Sequence, residues 1–73
     1  MKLTDCPVGA NLKIYKLNGN EKERSRLWEL GIYENSTITV LRTFAGHTVV
    51  VEADGAIIAI GKGAAENIEV ENA

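Results

Sequence analysis

Short runs of apolar residues in an alternating pattern, each ended within a few positions by glycine or asparagine, make up most of this chain. Alternation of apolar and polar side chains is the pattern of a strand with one buried face. We interpret five such runs as strands, at residues 11–17, 37–44, 48–53, 56–60 and 68–70. The dipeptide Asp54-Gly55, between the third and fourth runs, is a strong signal for a two-residue hairpin. The pattern therefore predicts short antiparallel strands joined by tight turns.

Strict alternation through the second run assigns its side chains to two faces. Ile38, Val40, Arg42 and Phe44 are expected to share one face of that strand. Residues 45–47 then form the tip of the hairpin that leads to the third strand.

Residues 20–30 form the one segment with the composition of a substantial α-helix. After its first residue this segment contains no proline, glycine or β-branched residue. Asn20 can serve as the N-cap, and Glu23 stands at the third helical position, where its side chain can reach back to the cap. Gly31 follows as a natural left-handed stop. We therefore expect a helix of about three turns after the first strand.

The helix carries two leucines and a tryptophan near its end. Leu27 and Leu30 lie three residues apart, so we expect both to pack against the rest of the fold. Trp28 lies about 100° around the helix from Leu27, off the centre of that apolar stripe. It is either a residue at the margin of the core or an exposed anchor for a partner. Arg24 precedes it by one turn, close enough to stack on the indole ring.

Together these elements predict a single mainly β domain, residues 1–73, of five short strands and one inserted helix. Hydrophobic residues make up 45% of the chain and charged residues 25%, values that are typical of a folded soluble domain. Short antiparallel strands favour a small barrel or sandwich, and closing the sheet removes its exposed edges. We expect residues 61–67 to form a tight turn or one helical turn, and residues 71–73 to fray.

Composition also limits the function. The net charge of −2 disfavours a general nucleic-acid binder. The one cysteine, Cys6, cannot form an internal disulfide and is expected to be a small packing residue. His47 and Cys6 share no metal-ligand spacing, and there is no phosphate-binding loop, so we expect neither an enzyme nor a bound cofactor or metal. Without a signal peptide or an apolar run long enough to span a bilayer, the expected location is the cytoplasm.

Three segments taken in order resemble the FeoA family. Residues 26–32, Arg-Leu-Trp-Glu-Leu-Gly-Ile, are similar to its Arg-Leu-x-x-Leu-Gly-hydrophobic signature. Residues 3–9 match an opening Leu-x-x-x-x-x-Gly, and residues 65–70 match a closing Ala-x-x-Ile-x-Val. The resemblance covers residues 3–70 and implies an SH3-like barrel with helices inserted after the first strand. It also implies an accessory role in ferrous iron uptake through FeoB, a membrane transporter with a cytoplasmic GTPase domain.

The expected partner is therefore a protein, an FeoB-like GTPase transporter, and not nucleic acid or the interior of a membrane. As contact residues we predict Arg24, Trp28, His47 and Lys62, which lie on the helix, at a hairpin tip and after the fourth strand. We expect the chain itself to be a monomer or a weak homo-oligomer. One departure concerns the turn after the helix, where the family usually has Pro-Gly and this chain has Glu34-Asn35; asparagine tolerates the left-handed conformation.

Two other classes of function stay open on the sequence. One is a small-barrel protein associated with nucleic acid, against which the net charge and the four aromatic residues count. The other is a free-standing metal-sensing domain like the C-terminal domain of iron- and manganese-dependent repressors, against which the sparse ligand residues count.

Overall fold

The computed structural model describes residues 1–73 and contains five strands and two helices. A 3₁₀ turn over Leu3–Asp5 precedes them. The elements, in chain order, are β1 (Asn11–Leu17), α1 (Glu21–Glu29), β2 (Thr37–Thr43), β3 (Val49–Ala53), β4 (Ala56–Ile60), α2 (Lys62–Glu66) and β5 (Ile68–Asn72). The mainly β class, the five strands and the helix inserted after the first strand are confirmed. The glycine- and alanine-rich stretch forms the short helix α2.

The five strands form one antiparallel sheet in the order β4-β3-β2-β1-β5. The sheet curls around a core of 17 buried residues, every one of them hydrophobic. The largest fully buried side chains come from four strands, from the 3₁₀ turn and from the loop after α1, and they are Leu3, Leu12, Ile14, Ile32, Val40, Val49, Val51, Ile68 and Val70. This small barrel therefore has a single core, to which the 3₁₀ turn contributes Leu3.

The sheet does not close by hydrogen bonds, so the expectation that closure removes both edges is wrong. β4 and β5 are the two ends of the strand order and do not pair with each other. The outer edge of β5 is covered by the N-terminus, because Lys2 bridges Glu69 and Met1 exchanges backbone hydrogen bonds with Val70. The prediction that residues 71–73 fray is wrong, since residues 71 and 72 pair with β1 and the backbone N–H of Ala73 donates to the carbonyl of Asn11. The outer edge of β4 pairs with no other strand, and α1 and the turn after it lie across grooves from this edge.

A bulge in β2 overturns the predicted faces of that strand. Ile38 and Val40 are buried as expected, but the pairing register with β3 shifts between Val40 and Arg42. One extra residue in a strand reverses the alternation beyond it. Arg42 and Phe44 therefore lie on the outside of the sheet, where the Arg42 guanidinium sits 5.9 Å from the centre of the Phe44 ring.

The predicted start of α1 is confirmed in detail. The Asn20 side chain accepts a hydrogen bond from the backbone N–H of Glu23 at 2.9 Å. The Glu23 carboxylate in turn accepts from the backbone N–H of Asn20 at 3.4 Å, which completes a capping box. At the other end Gly31 has φ +94°, as predicted for a left-handed stop. The local sequence thus sets both ends of the helix.

The predicted packing of the helix is only half right. Leu27 is buried, but the side chain of Leu30 remains 48% exposed. The helix ends at Glu29, so Leu30 is already the C-cap residue, and the chain turns at Gly31. Ile32, which is fully buried, takes the place that Leu30 was expected to fill.

Residues in the left-handed conformation form the predicted turns. Asp54 and Gly55, at φ +52° and +84°, connect β3 to β4 as the dipeptide predicts. Asn35, at φ +73°, adopts the left-handed conformation that asparagine was expected to tolerate in the turn after the helix.

Candidate interaction surface

A groove of about 310 Å³ runs between α1 and the free edge of β4. Leu27 and Leu30 form its α1 side, and Ile60 and Ala64 face them from β4 and α2. Gly61 and Gly63, which lack side chains, leave it open toward α2. Sequence reasoning missed this groove, because Leu30 was assigned to the core.

The polar end of the groove fixes α1 to the end of α2. The Asn67 amide donates to the Glu23 carboxylate at 3.4 Å. A Cβ atom built on Gly19 would lie 3.2 Å from a Glu23 carboxylate oxygen, so the turn before α1 approaches the same carboxylate closely. Glu23 therefore caps its own helix and links it to the closing segment of the fold.

Helical geometry divides the surface of α1 into two sides, and each is a candidate contact surface. The helix turns by about 100° per residue, so Glu23, Arg26 and the C-cap residue Leu30 lie on one side of Leu27. Arg24 and Trp28 lie on its other side. The first side borders the groove, and Arg26 lines it. The second side faces away from it. The helix thus presents two distinct surfaces, separated by its one buried residue.

Trp28 is 49% exposed, so it is not part of the buried core, and its assignment as an anchor for a partner stays a prediction. The predicted stacking of Arg24 on its ring is absent. Arg24 instead donates a hydrogen bond from its guanidinium to the backbone carbonyl of Gly19. This hydrogen bond directs the guanidinium toward the N-terminal end of α1 and the turn before it. The indole ring of Trp28 is therefore not covered by Arg24.

His47 and Lys62, fifteen positions apart in sequence, line a common depression of about 410 Å³. Its other walls carry both signs of charge, from Lys2 and Asp5 near the N-terminus and from the acidic residues of α2 and β5. Lys62 also lies 3.9 Å from Glu66, one turn along α2, in an exposed ion pair. Neither Arg24 nor Trp28 lines this depression. The four predicted contact residues therefore form two separate pairs.

Cys6 is buried at one margin of the core, as the packing interpretation expected. Its thiol points to the backbone carbonyl of Lys2, at 3.5 Å. Desolvation by burial raises the pKa of the Cys6 thiol; the N-terminal ammonium opposes this shift, and Asp5 adds to it. The thiol is therefore held in its protonated form, which is the less nucleophilic one.

No group of three or more histidine, cysteine, aspartate or glutamate side chains converges in the structure. No helix has both the length and the apolar character needed to cross a membrane.

Five antiparallel strands curled around one core, with a helix after the first strand, define a small SH3-like barrel. The family model of the FeoA domain matches residues 1–72. The chain belongs to this family, and the resemblance carried by residues 26–32 is confirmed.

Solved structures of two kinds share the fold. A crystal structure of the iron uptake regulatory protein FeoA is 25% identical, with a TM-score of 0.88, over 99% of this chain and 95% of that one. The FeoA protein of Chlorobium tepidum, solved by NMR, is 26% identical, with a TM-score of 0.89, over 99% of this chain and 70% of that one.

The second kind is a domain of a longer protein. A manganese-dependent transcriptional repressor in complex with manganese is 25% identical, with a TM-score of 0.92, and the match covers all of this chain but only 36% of the repressor. No curated protein is similar enough in sequence to match.

Proposed function

We propose that this protein is a non-catalytic accessory factor of ferrous iron uptake in the cytoplasm, and that it acts by binding the GTPase part of an FeoB-like transporter. The observation that carries the proposal is the FeoA domain match over residues 1–72. The similarity to solved FeoA proteins over nearly the whole chain supports it. In this role the barrel is a rigid support, and its exposed side chains provide the contact.

The contact surface we propose is the side of α1 that carries Arg24 and Trp28. A half-exposed tryptophan on a short helix loses little by remaining in water, but it gains much when a partner removes that water. Arg24 stands one turn earlier on the same side and adds a positive charge. His47 and Lys62, at the hairpin tip and on α2, form the alternative contact surface, which is more polar.

The test compares two alanine variants from opposite sides of α1. Trp28→Ala is expected to weaken binding to the isolated GTPase domain of the transporter by about 2 kcal/mol or more, the usual threshold for an anchor residue. Leu30→Ala, whose side chain is exposed to the same degree, serves as the matched control. Isothermal titration calorimetry gives both affinities, and circular dichroism shows whether each variant is folded.

Each pattern of affinity changes identifies a different contact surface for the GTPase domain. Loss of affinity in Trp28→Ala alone supports the proposed side, and a smaller loss in Arg24→Ala should accompany it. Loss in Leu30→Ala alone would move the contact to the groove beside β4. Binding that neither variant changes, but that Lys62→Ala weakens, would place it in the depression around His47.

The similarity to a manganese-dependent repressor supports a second candidate, a metal-sensing domain. The carboxylates around the His47 depression are the available oxygen ligands, and they face mixed charges there. Anaerobic calorimetry with Fe²⁺ or Mn²⁺ separates the two functions. Weak, unsaturable binding is expected for an accessory factor, whereas one tight, stoichiometric site would establish a sensor.

A further inference from the structure

The turn between β1 and α1 contains Asn18 followed by Gly19, the one Asn-Gly pair of the chain. An asparagine side chain can react with the backbone nitrogen of the next residue, and glycine hinders this attack least because it has no Cβ. The turn requires glycine here, since Gly19 has φ +99° and a Cβ atom built on it would lie 3.2 Å from a carboxylate oxygen of Glu23. The fold therefore keeps a chemically labile pair at this position.

Two hydrogen bonds join Asn18 to the closing segment of the fold. Its backbone N–H donates to the carbonyl of Asn67 at 2.7 Å, and its side-chain amide donates to the Glu69 carboxylate at 3.3 Å. The backbone N–H of Gly19, in contrast, donates to no backbone carbonyl. Asn18 also lines the groove beside β4, so water reaches its side chain. The nucleophile, the amide and water are thus all available at this turn.

We propose that Asn18 is a site of spontaneous deamidation. The Gly19 nitrogen attacks Cγ of Asn18. A bond forms between that nitrogen and Cγ, the bond from Cγ to Nδ2 breaks, and the proton of the Gly19 N–H leaves with Nδ2 as ammonia. Water then adds to one of the two carbonyls of the resulting succinimide ring and opens it. The product at position 18 is an aspartate, or an isoaspartate whose main chain runs through the former side-chain carbonyl.

Deamidation changes the contact with Glu69 from attraction to repulsion. The amide donates a hydrogen bond to the Glu69 carboxylate, whereas an ionised aspartate side chain only accepts. Two carboxylates this close repel each other, so the product side chain turns away from β5. The isoaspartate form also lengthens the main chain between β1 and α1 by one methylene. Both products loosen the end of the groove at which Glu23 and Asn67 link α1 to the end of α2.

The experiment incubates the folded wild-type protein at neutral pH and body temperature until a synthetic peptide of residues 15–22, the unfolded reference, has fully converted. Anion-exchange chromatography measures the added negative charge, and mass spectrometry of peptides locates it. We expect conversion at Asn18 before any at Asn35, which precedes a serine in an exposed turn and is the internal control. Asn18→Gln keeps the amide donor but requires a larger ring for the same attack, so it should gain no charge at this position.

Two further variants test the effect on the fold. Asn18→Asp imitates one product and should melt at a lower temperature than the wild type. Adding Glu69→Gln to Asn18→Asp places the amide on the other partner and should restore the melting temperature. An Asn18 amide that is still intact when the reference peptide has converted would overturn the proposed site, as would earlier conversion at Asn35. Equal melting temperatures for Asn18→Asp and the wild type would overturn the proposed repulsion.

Discussion

The backbone N–H of Ile32 donates to the carbonyl oxygen of Leu27 at 2.9 Å, and both side chains are buried. Gly31 donates to Trp28 at 3.0 Å in the same turn. These two bonds, with a glycine in the left-handed conformation between the helix and Ile32, form a Schellman motif, in which the residue after the glycine packs on the last turn of the helix. The motif explains why Ile32 enters the core and Leu30 does not.

This packing predicts a large difference between two leucine variants. Leu27→Ala removes a buried side chain and should lower the free energy of unfolding by about 2–5 kcal/mol. Leu30→Ala should lower it by less than about 1 kcal/mol, since half of that side chain is already in water. Urea unfolding followed by circular dichroism measures both, with the exposed Glu29→Ala as the control. Equal losses for the two leucines would mean that the end of α1 is placed wrongly.

Alanine substitutions at Gly31 and Gly63 test the effect of backbone conformation on stability without an effect of steric crowding. A Cβ atom built on Gly31 or on Gly63 would meet no other atom within 4 Å. Of these two glycines, only Gly31 has a positive φ, so Gly31→Ala should destabilise the fold by about 1 kcal/mol. Gly63→Ala, inside α2, should instead stabilise it by about 0.5–1 kcal/mol. Melting temperatures that move in the same direction for both variants would contradict this assignment.

The capping box predicts a third difference in stability. Asn20→Ala removes the side chain that accepts from Glu23 and should cost about 1 kcal/mol. Asn20→Asp keeps the acceptor and adds a negative charge at the positive end of the helix, so its stability should match or exceed the wild type. Thermal unfolding of the three proteins side by side is the measurement. A harmless Asn20→Ala variant would show that α1 is held by packing alone.

The environment of Cys6 predicts low reactivity and a pH dependence at the alkaline end. Burial raises the pKa of its thiol in the folded state, so the protonated thiol is the form that folding favours. This contribution to stability is fully present below the unfolded pKa, about 8.5, and is lost as the pH rises through the folded pKa. Alkylation by iodoacetamide should be at least about tenfold slower in the folded protein than in urea.

Cys6→Ala provides the control for that pH dependence. Its free energy of unfolding should fall less steeply than that of the wild type above about pH 8.5, since the buried thiol is gone. Fast alkylation of the folded wild type would place the thiol in solvent instead. So would the same dependence of the free energy of unfolding on pH in the two proteins.

Much of the fold could be predicted because the local signals and the tertiary structure agree. Asn20, Glu23 and Gly31 set the ends of α1 through their own backbone contacts, and Asp54-Gly55 sets a hairpin in the same way. The bulge after Val40 is missed when strict alternation is extended through the whole of β2, although Leu41 directly follows Val40 and Arg42 then falls on the apolar face. Leu30 was misassigned because helical periodicity was continued one residue beyond the end of the helix, where the Schellman geometry already applies.

The residues of the interaction surface were harder to predict from the sequence than the elements of the fold. The prediction that Trp28 belongs to a contact surface stays a prediction, although its exposure is consistent with it. His47 and Lys62 meet in one depression only because α2 returns the chain beside the hairpin tip, which depends on the tertiary fold. The groove beside β4 depends on Gly61 and Gly63 lacking side chains, and the glycines by themselves indicate only a turn.

Trp28 is the chain's single tryptophan, and its half-exposed position makes it an internal optical probe. Its emission in the free protein should already resemble that of a hydrated indole, so global unfolding will change the fluorescence spectrum little. Removal of water from this side of α1 will shift the emission to shorter wavelength. The fluorophore therefore reports what approaches the helix more sensitively than it reports whether the barrel is folded.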